Sequence, residues 1–450
     1  MTPTPEPALP RAFSHLAGAN LAAQAAEQIS LAAVPIVAVL TFNAGAREVG
    51  VLAAAQSLPF LLLALPFGLW ADRASRRRLM VAAEAMRVLA MTLLAALVMV
   101  ASGAALSMAA LAMLGFIGAV GTVAFSVAAP AMVPALVPRE ALARANGRIE
   151  LARSLAFAAG PALAGTVVAA AGGGSAFALA ALLSALAVLL LRRLPVDGAA
   201  GGVKGGGRMS VPPLSTPGTP SLATPTTTAP PSRPSPLADL REGARFVWHD
   251  RLLRPVLLTA VVWNLAWMVL QAAYVPHAMQ HLGLGARGVG LTLSLFGAGM
   301  VLGALAAPRI MARLPFGAAI ALGPLVSVAA ALVMAASLVW PVAALAGLSF
   351  FLFGAGPIVW TVSSTTLRQT LTPAPMLGRV GSIFLTANAG ARPLGAALGA
   401  GVAALAGAQG VAACLVLAAA GFVVQAAVVM ASAVRTLRSL PAQAAPRAVG

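Results

Sequence analysis

Four long stretches without a charged residue constrain the fold of this chain more than any other feature. A helix needs about 20 apolar residues to cross a bilayer, so each stretch is too long for one span and predicts most of a helical hairpin. The stretches are residues 88–138, 154–191, 314–367 and 393–434. Glycine and proline interrupt helices, so we expect the hairpin turns at Ser102-Gly103, Gly172-Gly173-Gly174, Trp340-Pro341 and Gly407.

The remaining spans bring the count to twelve. Spans 1 and 2 are expected to turn near Arg47-Glu48, and spans 7 and 8 between Gly283 and Arg287. The first apolar run begins near Phe13 and lacks a clear cleavage site, which favours a membrane span over a signal peptide. With 60% hydrophobic and 9% charged residues, the chain is far from the quarter of charged residues typical of soluble proteins. We therefore expect an all-α integral membrane protein.

The basic residues set the predicted orientation. The net charge of +18 lies in short groups between apolar runs, without the interleaved aromatic residues that would indicate nucleic-acid binding. Only Arg47 and Arg287 fall in the opposite turns. The positive-inside rule therefore places both termini in the cytoplasm. We expect a multi-pass protein of the cell inner membrane. The clusters on the cytoplasmic side are Arg73–Arg78, Arg139–Arg148, Arg192 through Arg254, Arg309–Arg313, Arg368–Arg379 and Arg435–Arg447.

A proline- and glycine-rich segment divides the chain. Residues 195–236 hold ten prolines and seven glycines, a composition that predicts a flexible linker. Residues 237–254 are amphipathic and are expected on the inner membrane surface. The predicted units are a six-helix bundle at 1–194, the linker with its amphipathic segment at 195–250, and a second six-helix bundle with a short tail at 251–450.

An internal repeat supports two related halves. A shift of 235 residues superposes Leu136 on Leu371 and Gly160 on Gly395. The same shift carries Gly68 onto Gly303 and would relate the halves by an axis along the membrane normal.

Charged residues at the end of span 2 suggest a gate. Gly68 is followed by Asp72 and by Arg73, Arg76, Arg77 and Arg78. Asp72 could pair with an arginine or with the positive end of a helix when the cytoplasmic side is closed. The alternative is a cluster that only fixes topology.

Further charges lie near the same end. Glu84 and Arg87 are three residues apart and can pair along one helical face, and Arg144, Glu150 and Arg153 lie in the segment that follows Pro138. We expect these groups to form a gating or structural network with Asp72.

Glu27 is the most informative acid. It lies about 20 Å into span 1, near the membrane midplane, where an acid indicates function. Burial favours its neutral form, so that it could bind and release a proton. The alternative is an acid held neutral by a neighbouring hydrogen bond. Gln24 lies on the same helical face.

Candidate cargo contacts lie in the second half. Span 7 carries Trp263, Trp267 and Gln271 at a spacing of four, which predicts a pocket for a bulky amphiphile or, nearly as well, aromatic packing. Arg392 lies in the middle of span 11 and needs a partner such as Glu27 or an anionic substrate. Asn388 is one turn away.

Outside the linker, the chain resembles major facilitator superfamily exporters of the drug:proton antiporter type, in the branch of the enterobactin exporter and the macrolide efflux pumps. Gly160, Pro161 and Gly165 resemble the antiporter signature of span 5, although small-residue packing explains them as well. Ser75 and Ala164 replace glycines of the family pattern. The other residues that carry the resemblance are Glu27, Gly68–Arg78, Glu84, Arg87, Pro138–Arg153, Gly243–Trp248 and Leu377-Gly378-Arg379.

The resemblance implies the major facilitator fold and proton-driven export of a small, hydrophobic or amphiphilic molecule by alternating access. We expect a monomer in the lipid bilayer, without a cofactor and without enzymatic activity. Two alternatives stay open. One is dedicated export of a siderophore or another anionic natural product, with Arg392 as the anion contact. The other is a transporter-fold sensor or lipid-handling protein.

Overall fold

The computed structural model describes residues 9–73, 75–100, 107–138, 141–195, 236–373 and 376–441. This part of the chain contains α-helices, one short π-helical turn at His277–His281 and two short 3-10 segments, and no strand. The α-helices are α1 Arg11–Phe42, α2 Ala46–Arg73, α3 Arg76–Val100, α4 Met108–Leu136, α5 Leu142–Ala171, α6 Gly173–Arg192, α7 Pro236–His249, α8 Leu253–Pro276, α9 Ala286–Arg313, α10 Phe316–Ala336, α11 Ala343–Leu371, α12 Leu377–Ala406 and α13 Gly410–Met430.

The membrane-spanning helices agree with the predicted count. Eleven apolar spans are long enough to cross a bilayer, and the last of them, Leu377–Met430, contains both α12 and α13. The described chain therefore carries twelve spanning helices, α1–α6 and α8–α13. The predicted amphipathic segment is α7, which ends at His249, so Arg254 belongs to α8 instead.

The predicted turn at Arg47-Glu48 is wrong by a few residues. Helix α1 ends at Phe42, and Asn43 adopts a left-handed conformation with φ 50°. The Glu48 carboxylate accepts a hydrogen bond from the backbone N–H of Gly45 at 2.9 Å, as acids in a first helical turn commonly do. Arg47 and Glu48 therefore lie in the first turn of α2, which begins at Ala46. The turn expected between Gly283 and Arg287 is found at 282–285, and Arg287 lies in the first turn of α9.

The other predicted turns are found where the structure describes them. Gly172 alone separates α5 from α6, with φ +80°. Trp340-Pro341 and Gly407 lie between helices as predicted, whereas Ser102-Gly103 falls outside the described residues. We call the side of the turns at 43–45, 172, 282–285 and 407–409 the turn end, and the opposite side the arginine end.

The repeat is visible in the helix bounds. Adding 235 to the bounds of α4, 108–136, gives 343–371, which are the bounds of α11. The same operation on α5, 142–171, gives 377–406, the bounds of α12. The fold is thus two related six-helix bundles, an N bundle of α1–α6 and a C bundle of α8–α13.

The two bundles pack closely near the turn end. Helix α5 lies against α9, and α2 lies against α12 and α8. A Cβ on Gly165 would clash with the carbonyl oxygen of Ala286, and one on Gly290 would clash with the carbonyl oxygen of Pro161. Small residues therefore allow the two backbones to touch. Gln280 also donates a hydrogen bond across the bundles to Asn43 Oδ1 at 3.2 Å.

Candidate functional site

Glu27 lies at the middle of α1. It is sixteen residues from Arg11 and fifteen from Phe42, or about 24 Å from the start of the helix. Its side chain is half-buried. Positive charges from Arg87, Arg153 and Arg392 act on it, together with the negative charge of Glu84. Arg392 belongs to the C bundle, so the electrostatic environment of Glu27 includes both halves of the protein.

Arg87 is held by a buried network beside Glu27. Its guanidinium donates to Glu84 Oε1 at 2.8 Å and to the carbonyl oxygen of Ala23 on α1 at 3.0 Å. The side chains of Arg87 and Glu84 are 4% and 0% exposed. Gly121 of α4 makes room for the pair, because a Cβ there would lie 2.7 Å from Arg87 Cγ. Ala23 is one turn before Glu27, so this pair fixes a cation next to the acid.

Glu150 and Arg153 form a second pair, in a different environment. Arg153 Nε donates to Glu150 Oε2 at 3.0 Å, but both side chains are exposed. Arg153 also stacks over Phe157 at 5.6 Å. Among the described residues, no hydrogen bond or ion pair joins this pair to Glu84 and Arg87. Glu84 and Arg87 thus face α1 and α4, whereas Glu150 and Arg153 lie on the surface of α5. A network that includes Asp72, whose side chain lies outside the described residues, stays a prediction.

The predicted latch stands at the arginine end of α2. Gly68, Asp72 and Arg73 lie in its last turns, but their side chains are outside the described residues, so the latch stays a prediction. Arg76 and Arg77 are half-buried at the start of α3. Arg144 is half-buried in the first turn of α5.

The small residues of α5 face two helices. A Cβ on Gly160 would clash with the Cβ of Gln28 on α1, whereas Gly165 contacts α9. The segment thus joins α1, which carries Glu27, to the C bundle. Pro161 lies inside α5, and its carbonyl oxygen faces Gly290. This contact is small-residue packing, and a role in antiport stays a prediction.

A cavity of about 250 Å³ opens among α8, α10, α11, α12 and α13. It brings together two residues predicted from the sequence, Trp263 and Asn388, with several that were not. Asn264 Nδ2 donates to Asn388 Oδ1 at 3.2 Å, which links α8 to α12 along the wall. The polar and aromatic side chains that line the cavity include Trp263, Asn264, Trp360, Arg368, Asn388 and Gln425.

Other predicted cavity residues lie elsewhere. Trp267 stacks on Trp263 with ring centroids 5.3 Å apart, and it packs against Phe296, Phe350 and Phe353 of α9 and α11. Aromatic packing, the alternative interpretation, therefore describes Trp267.

The two predicted glutamines also lie outside the cavity, as does the neighbouring Tyr274 of α8. Gln271 is half-buried, and its Oε1 has no hydrogen-bond partner among the described residues. Gln24 is half-buried on α1, outside the cavity. Tyr274 is fully buried and hydrogen-bonded to Thr292, which makes it a packing residue.

Arg392 lies at the middle of α12, one turn beyond Asn388. Its guanidinium is 5.3 Å from the centre of the Phe60 ring on α2, a cation–π contact between the two bundles. Arg392 and Glu27 act on each other electrostatically, but no ion pair within 4.0 Å joins them. The suggested direct partnership is therefore a longer-range interaction in this conformation.

Residues 16–396 match the Major Facilitator Superfamily. The chain belongs to this family of membrane transporters. This finding confirms the predicted family, the all-α twelve-span fold and a multi-pass protein of the inner membrane. The members of the family are transporters, and this chain is accordingly not an enzyme.

Curated relatives and solved structures agree with the family. The chain is 27% identical over 261 residues to the multidrug efflux pump Tap of Mycobacterium tuberculosis, a match that covers 57% of this chain and 56% of the relative. Tap of Mycolicibacterium fortuitum is 26% identical over 260 residues, with 57% of each chain covered. The match thus spans little more than half the length of these relatives.

The structural matches show the fold. The nucleoside transporter NupG superposes with a TM-score of 0.69 at 13% identity, covering 94% of this chain and 99% of that one. A bacterial homologue of the iron transporter ferroportin, in an inward-facing state, superposes with a TM-score of 0.66 at 16% identity, covering 93% and 100%.

Proposed function

We propose that the protein exports small hydrophobic or amphiphilic molecules and that protons move in the opposite direction. Similarity to multidrug efflux pumps supports export, and the placement of Glu27 supports proton coupling. An acid at the midpoint of a membrane span is costly and, when present, is usually functional. The position of Glu27 at the middle of α1 is the observation on which the proposal depends.

The charges around Glu27 provide a coupling mechanism. Arg87 belongs to the N bundle and is fixed by Glu84 and Ala23, so it stays beside Glu27 in every access state. Arg392 belongs to the C bundle and moves relative to Glu27 when the bundles rock. Coulomb attraction depends on distance and is strong where water is excluded. The motion of Arg392 therefore changes how strongly the protein favours the ionised form of Glu27, and proton binding in turn biases the motion.

The bundle contacts supply the gates. The glycine contacts between α5 and α9 close the turn end in this conformation. Asp72 and the following arginines form the gate at the arginine end, which faces the cytoplasm. The two gates close in alternation as the bundles rock about α5–α9 and α2–α12.

Export of an anionic natural product is the second candidate. Neither Arg392 nor Arg368 forms an ion pair with a described acid, and both instead lie over aromatic rings. A cation without an acidic partner in a substrate path favours a negatively charged cargo.

Transport into inverted membrane vesicles tests the proposal. The probes are ethidium, erythromycin and a catecholate siderophore, and the driving force is an imposed pH gradient. Glu27→Gln should abolish gradient-driven accumulation of the transported probe while preserving expression and counterflow exchange. Glu242→Gln is the matched control, because Glu242 is an exposed acid of α7, which lies outside the spans, and pairs with Arg379 in the first turn of α12. Gradient-driven accumulation by Glu27→Gln equal to that of the control would refute proton coupling through Glu27.

A further inference from the structure

The C-bundle cavity contains polar atoms that lack partners. The indole N–H groups of Trp263 and Trp360 and the amide oxygen of Gln425 are buried without a hydrogen bond in the described part of the chain. All three residues line the cavity, and Gln425 is only 2% exposed. Buried polar groups are nearly always hydrogen-bonded, and leaving one without a partner is unfavourable. These two donors and one acceptor are therefore available to form hydrogen bonds with a ligand.

Arg368 places a cation in the same cavity. It lies in the last turn of α11, at the arginine end, and its guanidinium is 4.8 Å from the centre of the Phe384 ring. It forms no ion pair with an acid that the structure describes. Arginine binds carboxylates in a planar, two-pronged geometry. The cavity thus has a site for an anionic group at one end and hydrogen-bonding groups further in.

The repeat shows that the fold does not require these residues. Subtracting 235 places Arg368 on Val133, Trp360 on Phe125 and Gln425 on Leu190. In the N bundle, Val133 and Phe125 belong to one apolar core cluster, and Leu190 packs against it. The same helices therefore pack with apolar side chains in one bundle and around a polar cavity in the other. A purely structural role does not explain this difference.

We propose that the cavity is a subsite for a hydroxylated aromatic carboxylate. The carboxylate would pair with Arg368, and the aromatic ring would pack among Trp360, Trp263 and Phe384. A phenol hydroxyl can donate to Gln425 Oε1 and accept from one indole N–H, which gives partners to two of the three atoms. The volume of about 250 Å³ is below the usual 300–1,000 Å³ of drug-sized sites. The subsite therefore takes a small aromatic acid, or one such group of a larger cargo.

Binding to the purified full-length protein, without any gradient, tests this assignment. The probes are 6-hydroxy-2-naphthoate, 2-naphthoate without the hydroxyl, and 2-naphthol without the carboxylate, measured by titration calorimetry. Wild type should bind the hydroxynaphthoate about tenfold or more tightly than 2-naphthol, as a charge-assisted hydrogen bond allows. Arg368→Gln should remove this preference. Arg309→Gln should keep it, because Arg309 is exposed at the same end but outside the cavity.

Gln425→Leu tests the hydroxyl contact with a built-in folding control. Leucine is the residue that the N bundle carries at this position, so the variant should melt at the wild-type temperature or above it. It should lose the preference for hydroxynaphthoate over 2-naphthoate and keep the preference for 2-naphthoate over 2-naphthol. Equal binding of the three probes by wild type, or an unchanged preference in Arg368→Gln, would overturn the assignment.

The subsite rests on the proposed function only in that its ligand is taken to be cargo. If the naphthoates bind as expected but Glu27→Gln keeps gradient-driven transport, proton coupling fails and the subsite stands. If the naphthoates do not bind but a dye is exported in a Glu27-dependent manner, the subsite fails alone.

Discussion

The glycine contact between α5 and α9 provides the sharpest test of the gate at the turn end. In Gly165→Ala, the new methyl group meets the carbonyl oxygen of Ala286, with the Gly290 Cα 2.9 Å away. These are backbone atoms, which cannot relieve the clash by a change of rotamer as a flexible side chain can. The strain exists only while the bundles touch at this point, so the substitution should favour the conformation that is open at the turn end.

The size of the effect follows from the packing. Overpacking a close contact costs about 1–3 kcal/mol. Since 1.4 kcal/mol corresponds to a factor of ten, the ratio of open to closed conformers should rise about 5- to 150-fold. Gly147→Ala is the matched control on the same helix, because a Cβ at Gly147 meets nothing within 4 Å. The control should leave the ratio unchanged.

Spin labels can measure this ratio. Ala171 and Gln409 are exposed at the turn end on opposite bundles, and each can be replaced by cysteine after the single native cysteine, Cys414, is changed to serine. Double electron–electron resonance should show a larger long-distance population in Gly165→Ala than in Gly147→Ala. Superimposable distance distributions would show that this contact does not hold the gate.

Three further predictions concern charged groups. Glu84→Ala should lower the free energy of unfolding in detergent by about 3–5 kcal/mol, because it leaves Arg87 buried without its partner. The double variant Glu84→Leu with Arg87→Met should lower it less. A double variant as unstable as Glu84→Ala would contradict this. Asp72→Asn should lower the maximal transport rate more than the apparent cargo affinity, and a pure affinity loss would argue against a latch. Arg392→Ala should reduce vesicle uptake of an anionic probe more than that of ethidium; equal reductions would exclude Arg392 as an anion contact.

Most of the fold could be predicted because local amino-acid composition determines which segments insert into a membrane. Uncharged stretches and arginine clusters define spans and their ends without knowledge of packing. The exact helix starts could not be predicted in this way. The turn between α1 and α2 is decided by Asn43 and by the contact of Glu48 with Gly45, which are backbone and capping effects, and not by where charge first appears.

The site was only partly predictable for a related reason. Glu27 and Arg392 stand out because each is a charge in the middle of an apolar span. Arg368 was assigned to a topology cluster, and Gln425 lies in a span with no charge at all. Arg368 and Gln425 line the same cavity because of how α11 and α13 pack around α8. Helical periodicity does not specify this packing. Comparing Gln425 with Leu190 across the repeat was the sequence signal that could have found it.

The repeat also explains why the two chemistries are separate. Glu84 and Arg87, which flank Glu27 in the N bundle, correspond to Ala319 and Leu322 in the C bundle. Conversely, the polar cavity of the C bundle corresponds to apolar core in the N bundle. In the proposed mechanism, proton handling and cargo binding therefore occupy different bundles and share no direct side-chain contact within either bundle.

Coupling must therefore cross the interface between the bundles. Arg392 is suited to this role, because it lies one turn from Asn388 in the cavity wall, over Phe60 of the N bundle, and within electrostatic range of Glu27. A cargo anion near Asn388 would attract Arg392 and weaken its hold on ionised Glu27, so that cargo binding and proton binding would favour each other. Antiport requires instead that the two compete. Binding of an anionic cargo at Arg368, away from Arg392, would avoid this effect, whereas the Arg392→Ala comparison above tests direct contact of an anion with Arg392.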